Sequence, residues 1–108
     1  MHMLTSEEEL KDAIQNTEDS LCIIFKHSTR CPISAAAHRQ VAAFEKHSDI
    51  PVYLIRVIEE RPLSRSFANQ YDVVHASPQA IVLRQGKVVW NASHYQITDT
   101  ALTKATEA

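Results

Sequence analysis

The feature that most constrains the fold is a continuous apolar run, Leu21-Cys22-Ile23-Ile24-Phe25, which is followed closely by Cys31-Pro32. The run contains β-branched and aromatic side chains and no polar one, so it predicts a strand that is covered on both faces. Pro32 suits the first position of a helix, because the N–H that proline lacks would have no partner there. We therefore predict an α/β chain in which Cys31 lies where a buried strand passes into a helix.

Apolar periodicity and turn residues predict the other elements. They are, in order, a helix capped by Thr5 or Ser6, the strand Leu21–Phe25, a helix from Pro32 to about His47, a strand from Pro51 to Val57, a helix from Pro62 through Tyr71, strands at Ala80–Leu83 and Val88–Trp90, and a helix capped by Thr98. This order, αβαβαββα, predicts a four-stranded mixed sheet with helices on both faces. The length of 108 residues predicts a single domain, residues 1–108. Ligands of such sheets bind beyond the carboxyl ends of the strands, where Cys31 is predicted to lie.

Composition excludes several classes of function. Gly86 is the only glycine, whereas phosphate-binding and dinucleotide-binding loops need several. The net charge of −2 lacks the basic footprint of a nucleic-acid binder. The apolar stretches are too short for a membrane span, and the acidic N-terminal segment does not resemble a signal peptide. With only two cysteines, we expect a protein of the reducing cytoplasm with no nucleic-acid or membrane partner.

Cys31 is the predicted reactive group. A cysteine at a helix N-terminus faces unpaired backbone N–H groups and the positive end of the helix dipole, which favour thiolate over thiol. Arg30, with Lys26 and His27 close by in sequence, is expected to add positive potential. Cys22, within the apolar run, is expected to serve as a small apolar side chain. A disulfide between the two cysteines is not expected, because the length of the strand separates them.

Two sequence features resemble known proteins. A C-x-x-S motif at a strand-to-helix turn and a proline, Pro78, before a hairpin resemble the thioredoxin fold. More narrowly, the segment from Lys26 to Ser34, K-H-S-T-R-C-P-I-S, and the segment from Ser93 to Thr98 resemble the monothiol bacilliredoxin family. Those proteins act on disulfides formed with bacillithiol, the small thiol of certain Gram-positive bacteria. The resemblance implies a monothiol thiol–disulfide oxidoreductase that removes bacillithiol from protein cysteines.

The resemblance also implies a set of roles. Cys31 takes up the adduct, within a motif completed by Pro32 and Ser34. The Ser77-Pro78 bond is cis, and the backbone of Ser77 pairs with an extended substrate segment, as an added strand does. Bacillithiol is a co-substrate with no bound cofactor, and the partners are S-bacillithiolated client proteins and a low-molecular-weight thiol. The remaining substrate-binding positions are His27, Thr29, Arg30 and His94.

Ser34 decides the type of reaction, because a dithiol enzyme would have its resolving cysteine there. Without that cysteine, a second small thiol must free Cys31. The Ser34 hydroxyl either bonds the Cys31 sulfur or lies on the helix surface as an ordinary serine, and an engineered replacement of cysteine is also conceivable. Two departures from thioredoxins, Phe25 in place of a buried aspartate and Arg30 in place of tryptophan, disfavour a general dithiol reductase.

Two alternatives remain open. A non-catalytic thioredoxin-like module could bind partners through the same groove, and a monothiol reductase could serve another thiol such as glutathione. His27, Cys31, His38 and His75 could be arranged into a metal site, but no C-x-x-C or H-x-x-x-H pair supports one, so we expect no metal.

Overall fold

The computed structural model describes residues 1–107 and contains one mixed sheet with helices on both faces. The elements are β1 (His2–Met3), α1 (Glu7–Asn16), β2 (Leu21–His27), α2 (Pro32–Glu45), β3 (Val52–Arg56), α3 (Arg61–Tyr71), β4 (Gln79–Arg84), β5 (Lys87–Ser93), a 3-10 turn (His94–Gln96) and α4 (Asp99–Ala105). The strand order is β1-β3-β2-β4-β5. β3 is parallel to β1 and β2, whereas β4 is antiparallel to β2 and β5.

Local signals in the sequence account for most element boundaries. The Ser6 side chain accepts the backbone N–H of Glu9 at the start of α1, and the Thr98 side chain accepts that of Ala101 at the start of α4. Gln85 and Gly86 both have positive φ, 53° and 76°, between β4 and β5. Two successive residues of this kind match the twist of a tight hairpin, which is why the two strands pair directly.

β2 is the central strand of the sheet, and it pairs with β3 on one edge and β4 on the other. Ile23 and Phe25 point to the face covered by α2 and α4, where they meet Val41 and Phe44 of α2. The alternate side chains of β2 point to the face covered by α1 and α3, where Ile24 meets residues such as Leu10, Leu63 and Phe67. The prediction of a strand buried on both faces is confirmed.

Several predicted bounds shift by one or two residues, and β2 continues past Phe25 to His27. Three further differences concern whole elements. The sheet has five strands rather than four, because the two-residue β1 adds to the edge of β3. β5 extends from Lys87 to Ser93, well beyond the predicted Val88–Trp90, since Asn91 and Ser93 are polar and carry no apolar signal. The 3-10 turn at His94–Gln96 was not predicted. In the described part of the chain, no helix has the length and apolar character that crossing a membrane requires.

Lys26 is a charged residue in the dry centre of the sheet, with 0% exposure. It lies on the α3 face, where its Nζ donates to the Ser64 carbonyl at 3.0 Å and lies 3.2 Å from Nδ1 of His75. The ammonium also stands 5.5 Å from the centre of the Phe67 ring, a cation–π arrangement. No carboxylate among residues 1–107 pairs with it. Burial therefore lowers the pKa of Lys26 to about 8.

We expect Lys26 to make stability rise with pH in the alkaline range. Between the folded pKa of about 8 and the unfolded value of 10.5, the unfolded chain binds more protons, so the free energy of unfolding increases with pH. Relative to the wild type, Lys26→Met is expected to lose this increase, which is on the order of 3 kcal/mol over the whole range.

Urea denaturation at about pH 7.5 and about pH 10 measures this contribution as the difference between the two proteins. The raised pKa of Cys22 and of Tyr53 acts on both proteins alike and cancels in that difference. Lys11→Met, which removes an exposed lysine of α1, is the matched control. Equal pH dependence in the wild type and Lys26→Met would show that the buried amine is not the cause.

Candidate functional site

The centre of the candidate site is the turn from β2 to α2. The antiparallel register pairs Lys26 with Gln79, so the next residues outward, His27 and Pro78, lie side by side at the end of the sheet. The chain then turns through Ser28, and the Cys31 N–H donates to the Ser28 carbonyl at 3.4 Å. This register brings the turn that carries Cys31 next to the proline that precedes the hairpin.

Cys31 is the N-cap of α2, in extended conformation with φ −113° and ψ 123°. Its carbonyl accepts the first helical N–H, from Ala35, at 3.0 Å. Its side chain makes no capping hydrogen bond and is partly exposed, and both cysteines of the chain are free. Cys22 is 2% exposed, and burial raises the pKa of its thiol. Of the two thiols, Cys31 is thus the accessible one at a helix N-terminus, where the dipole stabilises an anion.

Ser34 is fully buried and its hydroxyl makes two hydrogen bonds. The Ser28 N–H donates to Ser34 Oγ at 2.9 Å, and Oγ lies 2.7 Å from Nδ1 of His27. Because the buried hydroxyl proton needs an acceptor and Ser28 contributes only a donor, we assign that proton to the bond with His27, which makes Nδ1 an acceptor and leaves the imidazole neutral. The alternative of an ordinary serine on the helix surface is therefore wrong. Among residues 1–107 the hydroxyl does not bond the Cys31 sulfur either, because both its partners lie on the β2 side of the turn.

His27 belongs to an aromatic cluster beneath α2. Its ring centre lies 4.9 Å from that of His38 and 5.5 Å from that of Phe25. Burial, and then the nearby His38, lower the pKa of His27, which fits its role as a neutral acceptor. Lys26 is bonded on the opposite face of the sheet. The neutral His27 therefore adds no positive charge beside Cys31, Lys26 carries its charge on the opposite face of the sheet, and Arg30 alone of the three is exposed.

The loop before β4 forms the second part of the site, and its Ser77-Pro78 peptide bond is cis. The buried Gln79 side chain holds this loop, because its amide donates to the Val74 carbonyl at 3.0 Å and its oxygen accepts the Ala76 N–H at 3.3 Å. Within residues 1–107 the Ser77 hydroxyl is buried without a hydrogen-bond partner. The loop is thereby fixed at the end of the sheet where β2 also ends.

The other predicted site residues lie around this centre. Thr29 and Arg30 lie in the turn, and Pro32 is exposed as the first residue of α2. The His94 N–H donates to the Pro78 carbonyl at 3.1 Å, and its φ is 55°. The structure thus brings His94 to the cis-proline loop and His27 to Ser34.

Two further features of the described residues concern ligands. No three His, Cys, Asp or Glu side chains among residues 1–107 are close enough together to hold a metal ion. A cavity of about 720 Å³ lies between α1 and α3 and is lined by residues such as Leu10, Ile14 and Tyr71. It contains none of the predicted site residues.

Sequence reasoning missed two parts of this arrangement. His38 was considered only as a metal ligand, although it follows Ser34 by four residues on α2, a spacing that places both on one face. The lysine cluster of Lys26, Ser64 and His75 was also missed, because it joins residues far apart in the sequence. A lysine directly after the apolar run Leu21–Phe25 is the one signal that could have pointed to it.

A comparison with known families identifies one match. The family model described as monothiol bacilliredoxin BrxC matches residues 2–102, which is most of the chain.

Solved structures give a consistent fold. A candidate oxidoreductase with a thioredoxin fold is similar at a TM-score of 0.92 and 35% identity, over 98% of this chain and 93% of that one. Thioredoxin from Fasciola hepatica has a TM-score of 0.78 and 19% identity, over 98% of this chain and 96% of that one. A mutant thioredoxin from Halobacterium salinarum NRC-1 has a TM-score of 0.77 and 19% identity, over 99% and 91%. The predicted thioredoxin-like fold is confirmed.

We expect the site to lose stability in mild acid. The pKa of His27 lies below its ordinary value of 6.5 in the folded protein, so the unfolded chain takes up protons first as the pH falls. The free energy of unfolding should therefore decrease as the pH drops below about 6.5, because burial and the nearby His38 disfavour the protonated imidazole in the folded protein. His27→Asn should reduce this decrease.

Urea unfolding of both proteins at about pH 7.5 and about pH 5.5 provides the comparison. His75, whose pKa is lowered by burial and by Lys26, contributes with the same sign in both proteins. His2→Asn, at an exposed histidine of β1, is the control and should behave as the wild type. If the free energy of unfolding decreases equally in His27→Asn and in the wild type as the pH is lowered, His27 is not the cause of the decrease.

Proposed function

The chain belongs to the monothiol bacilliredoxin family, a group of thiol oxidoreductases, and from this premise we propose that it removes bacillithiol from mixed disulfides on protein cysteines. The observation that carries the proposal is the position of Cys31. It is a free and partly exposed thiol at the N-cap of α2, with a serine rather than a cysteine three residues on. Such a site can exchange a disulfide but cannot close one within its own motif.

The proposed reaction has two exchange steps. The Cys31 thiolate attacks the bacillithiol sulfur of the client's mixed disulfide, so the bond between client and small thiol breaks and a bond between Cys31 and the small thiol forms. The client leaves as a thiolate, reduced and free of the adduct. A second molecule of bacillithiol, as its thiolate, then attacks the adduct on Cys31. This step yields bacillithiol disulfide and regenerates the Cys31 thiolate.

The cis-proline loop is the proposed docking edge for the client. The register of β2 and β4 brings Pro78 to the end of the sheet from which the Cys31 turn leaves. An extended client segment that pairs with the Ser77 backbone would lie along this edge, as in strand addition. Thr29 and Arg30, in the turn, would border the bound segment. In this proposal the partners are S-bacillithiolated proteins and the small thiol, with no bound cofactor.

The proposal is tested by measuring the transfer of bacillithiol from a client protein to Cys31. We expect a client protein that carries bacillithiol on one cysteine to pass it to Cys31, because that thiol is accessible at a helix N-terminus. Intact and peptide mass spectrometry would locate the adduct. Cys31→Ser is expected to abolish transfer, whereas Cys22→Ser should keep it and lose about 1 kcal/mol of stability through altered packing.

Other outcomes of this experiment separate the alternatives. Transfer from a glutathione client but not from a bacillithiol client would make the protein a reductase of another thiol. Absence of transfer from both, with binding of the clients retained, would make it a non-catalytic module. Equal labelling of Cys22 and Cys31 in the folded protein would contradict the assignment of the nucleophile.

A second prediction concerns the serine of the motif. Ser34→Cys places a thiol three residues after Cys31 in the first turn of α2, where i and i+3 side chains are neighbours. Once Cys31 carries an adduct, the introduced thiol is expected to form a disulfide with Cys31, and so to release bacillithiol without added thiol. Mass spectrometry over time measures the release of bacillithiol. The control is Ser34→Ala, which has neither the hydroxyl of the wild type nor the introduced thiol. If the Ser34→Cys variant keeps its adduct as long as the control, the geometry of the helix start argued above is wrong.

A further inference from the structure

A small cavity lies beside the candidate site, between α2 and the 3-10 turn. Its volume is about 220 Å³, and its lining includes Ala36, Arg39 and Gln40 from α2, and His94 and Tyr95 from the turn. Arg39, Gln40 and Tyr95 have no role in the exchange chemistry proposed above. The cavity is therefore a feature of the structure that this chemistry does not use.

Hydrogen bonds fix both walls of the cavity. The Gln40 side-chain oxygen accepts the Asp99 N–H at 2.9 Å, which ties α2 to the start of α4. On the other side, the His94 N–H donates to the Pro78 carbonyl at 3.1 Å. Ile97, which is 2% exposed, closes the cavity toward the core. The cavity is thus anchored to the same proline that borders the Cys31 turn.

The cavity lies within reach of a molecule bonded to Cys31. A helix rises about 1.5 Å per residue, so Ala36 lies about 8 Å and Arg39 about 12 Å along α2 from Cys31. These lengths match a small thiol of a few linked units, and they are short compared with a client protein. The occupant that fits is the low-molecular-weight thiol rather than the protein segment.

Charge specifies which end of the thiol would bind. Arg39 is exposed and forms no ion pair with any of residues 1–107. The carboxylate of Asp99, at the start of α4, lies 2.6 Å from Nε2 of His47, at hydrogen-bond distance. An unpaired guanidinium beside a pocket favours a carboxylate, which it can bind through two parallel N–H donors. Tyr95, 74% exposed, adds an aromatic face at the rim.

We propose that this cavity, with Arg39 at its edge, binds the carboxylate-bearing end of the small thiol while the thiol's sulfur is exchanged at Cys31. The inference rests on the proposed function and names the subsite that selects its co-substrate. Bacillithiol carries carboxylates on its malyl group, at the end of the molecule away from its sulfur. Arg39 would act in binding, leaving the exchange step itself to Cys31.

The experiment compares two client mixed disulfides, one with bacillithiol and one with cysteinyl-glucosamine, which lacks the malyl carboxylates. Adduct transfer to Cys31 is measured below saturation for the wild type and for Arg39→Ala, Arg39→Lys and Lys46→Ala. Lys46, an exposed cation at the far end of α2, is the matched control.

We expect Arg39→Ala to slow transfer of the bacillithiol adduct about tenfold, through KM, because one charged hydrogen-bonded contact is lost. Transfer of the truncated adduct should not change. Arg39→Lys should recover part of the rate, and Lys46→Ala should match the wild type. Alkylation of Cys31 by iodoacetamide should proceed at the same rate in Arg39→Ala, which separates binding from reactivity of the thiol.

The outcomes distinguish the inference from the function on which it rests. If the wild type takes up both adducts equally well, or if Arg39→Ala slows both alike, the subsite is wrong while the exchange activity stands. If the wild type takes up neither adduct, the proposed function fails, and the subsite fails with it.

Discussion

The position of the reactive thiol depends on the enclosure of β2. This strand is hydrogen-bonded on both edges, to β3 and to β4, and its side chains are buried on both faces. A strand held in this way cannot slip by one residue, since a slip would send Phe25 and Ile24 to the wrong faces. The last residue of β2, His27, is therefore fixed next to Pro78, and Cys31 follows four residues later at the start of α2. The register of the sheet thus sets the distance between the thiol and the cis-proline loop.

Ser34 helps to hold the turn between β2 and α2 and makes no hydrogen bond to the Cys31 sulfur. Its hydroxyl accepts from the Ser28 N–H and donates to His27, which ties the first turn of α2 back to β2. Both bonds are buried or partly buried, so removing the hydroxyl would leave a backbone N–H and a ring nitrogen unpaired. A cysteine at this position would be a far weaker donor and acceptor. In this protein, the residue that makes a dithiol motif impossible also helps to hold the turn that carries the nucleophile.

The sequence predicted the elements whose signals are local. The apolar run of β2, the proline that opens α2, the caps of α1 and α4, and the Gln85-Gly86 hairpin all follow from neighbouring residues. β1 was missed because two residues carry no periodicity, and their pairing with β3 depends on the folded sheet. The burial of Ser34 and the partners of Lys26 could not be predicted either. Both depend on which face of one element packs against another. The partners of Lys26, Ser64 and His75, follow it by 38 and 49 positions in the sequence.

The distribution of charge around the site explains why a small thiol suits the proposed second step. Phe25 occupies the place of the buried carboxylate in thioredoxins, and it stacks on His27, whose imidazole is neutral. Phe25 has no titratable group, and the Nδ1 of His27 is bonded to Ser34. The Cys31 side chain lies at the N-terminus of α2, where the helix dipole favours an anion and acts only over the first turn. In the proposed second step, the regenerating thiol must arrive as its own thiolate and approach the partly exposed Cys31 sulfur from solvent. It must then leave with the adduct. A small molecule meets these requirements with the least obstruction by the turn between β2 and α2.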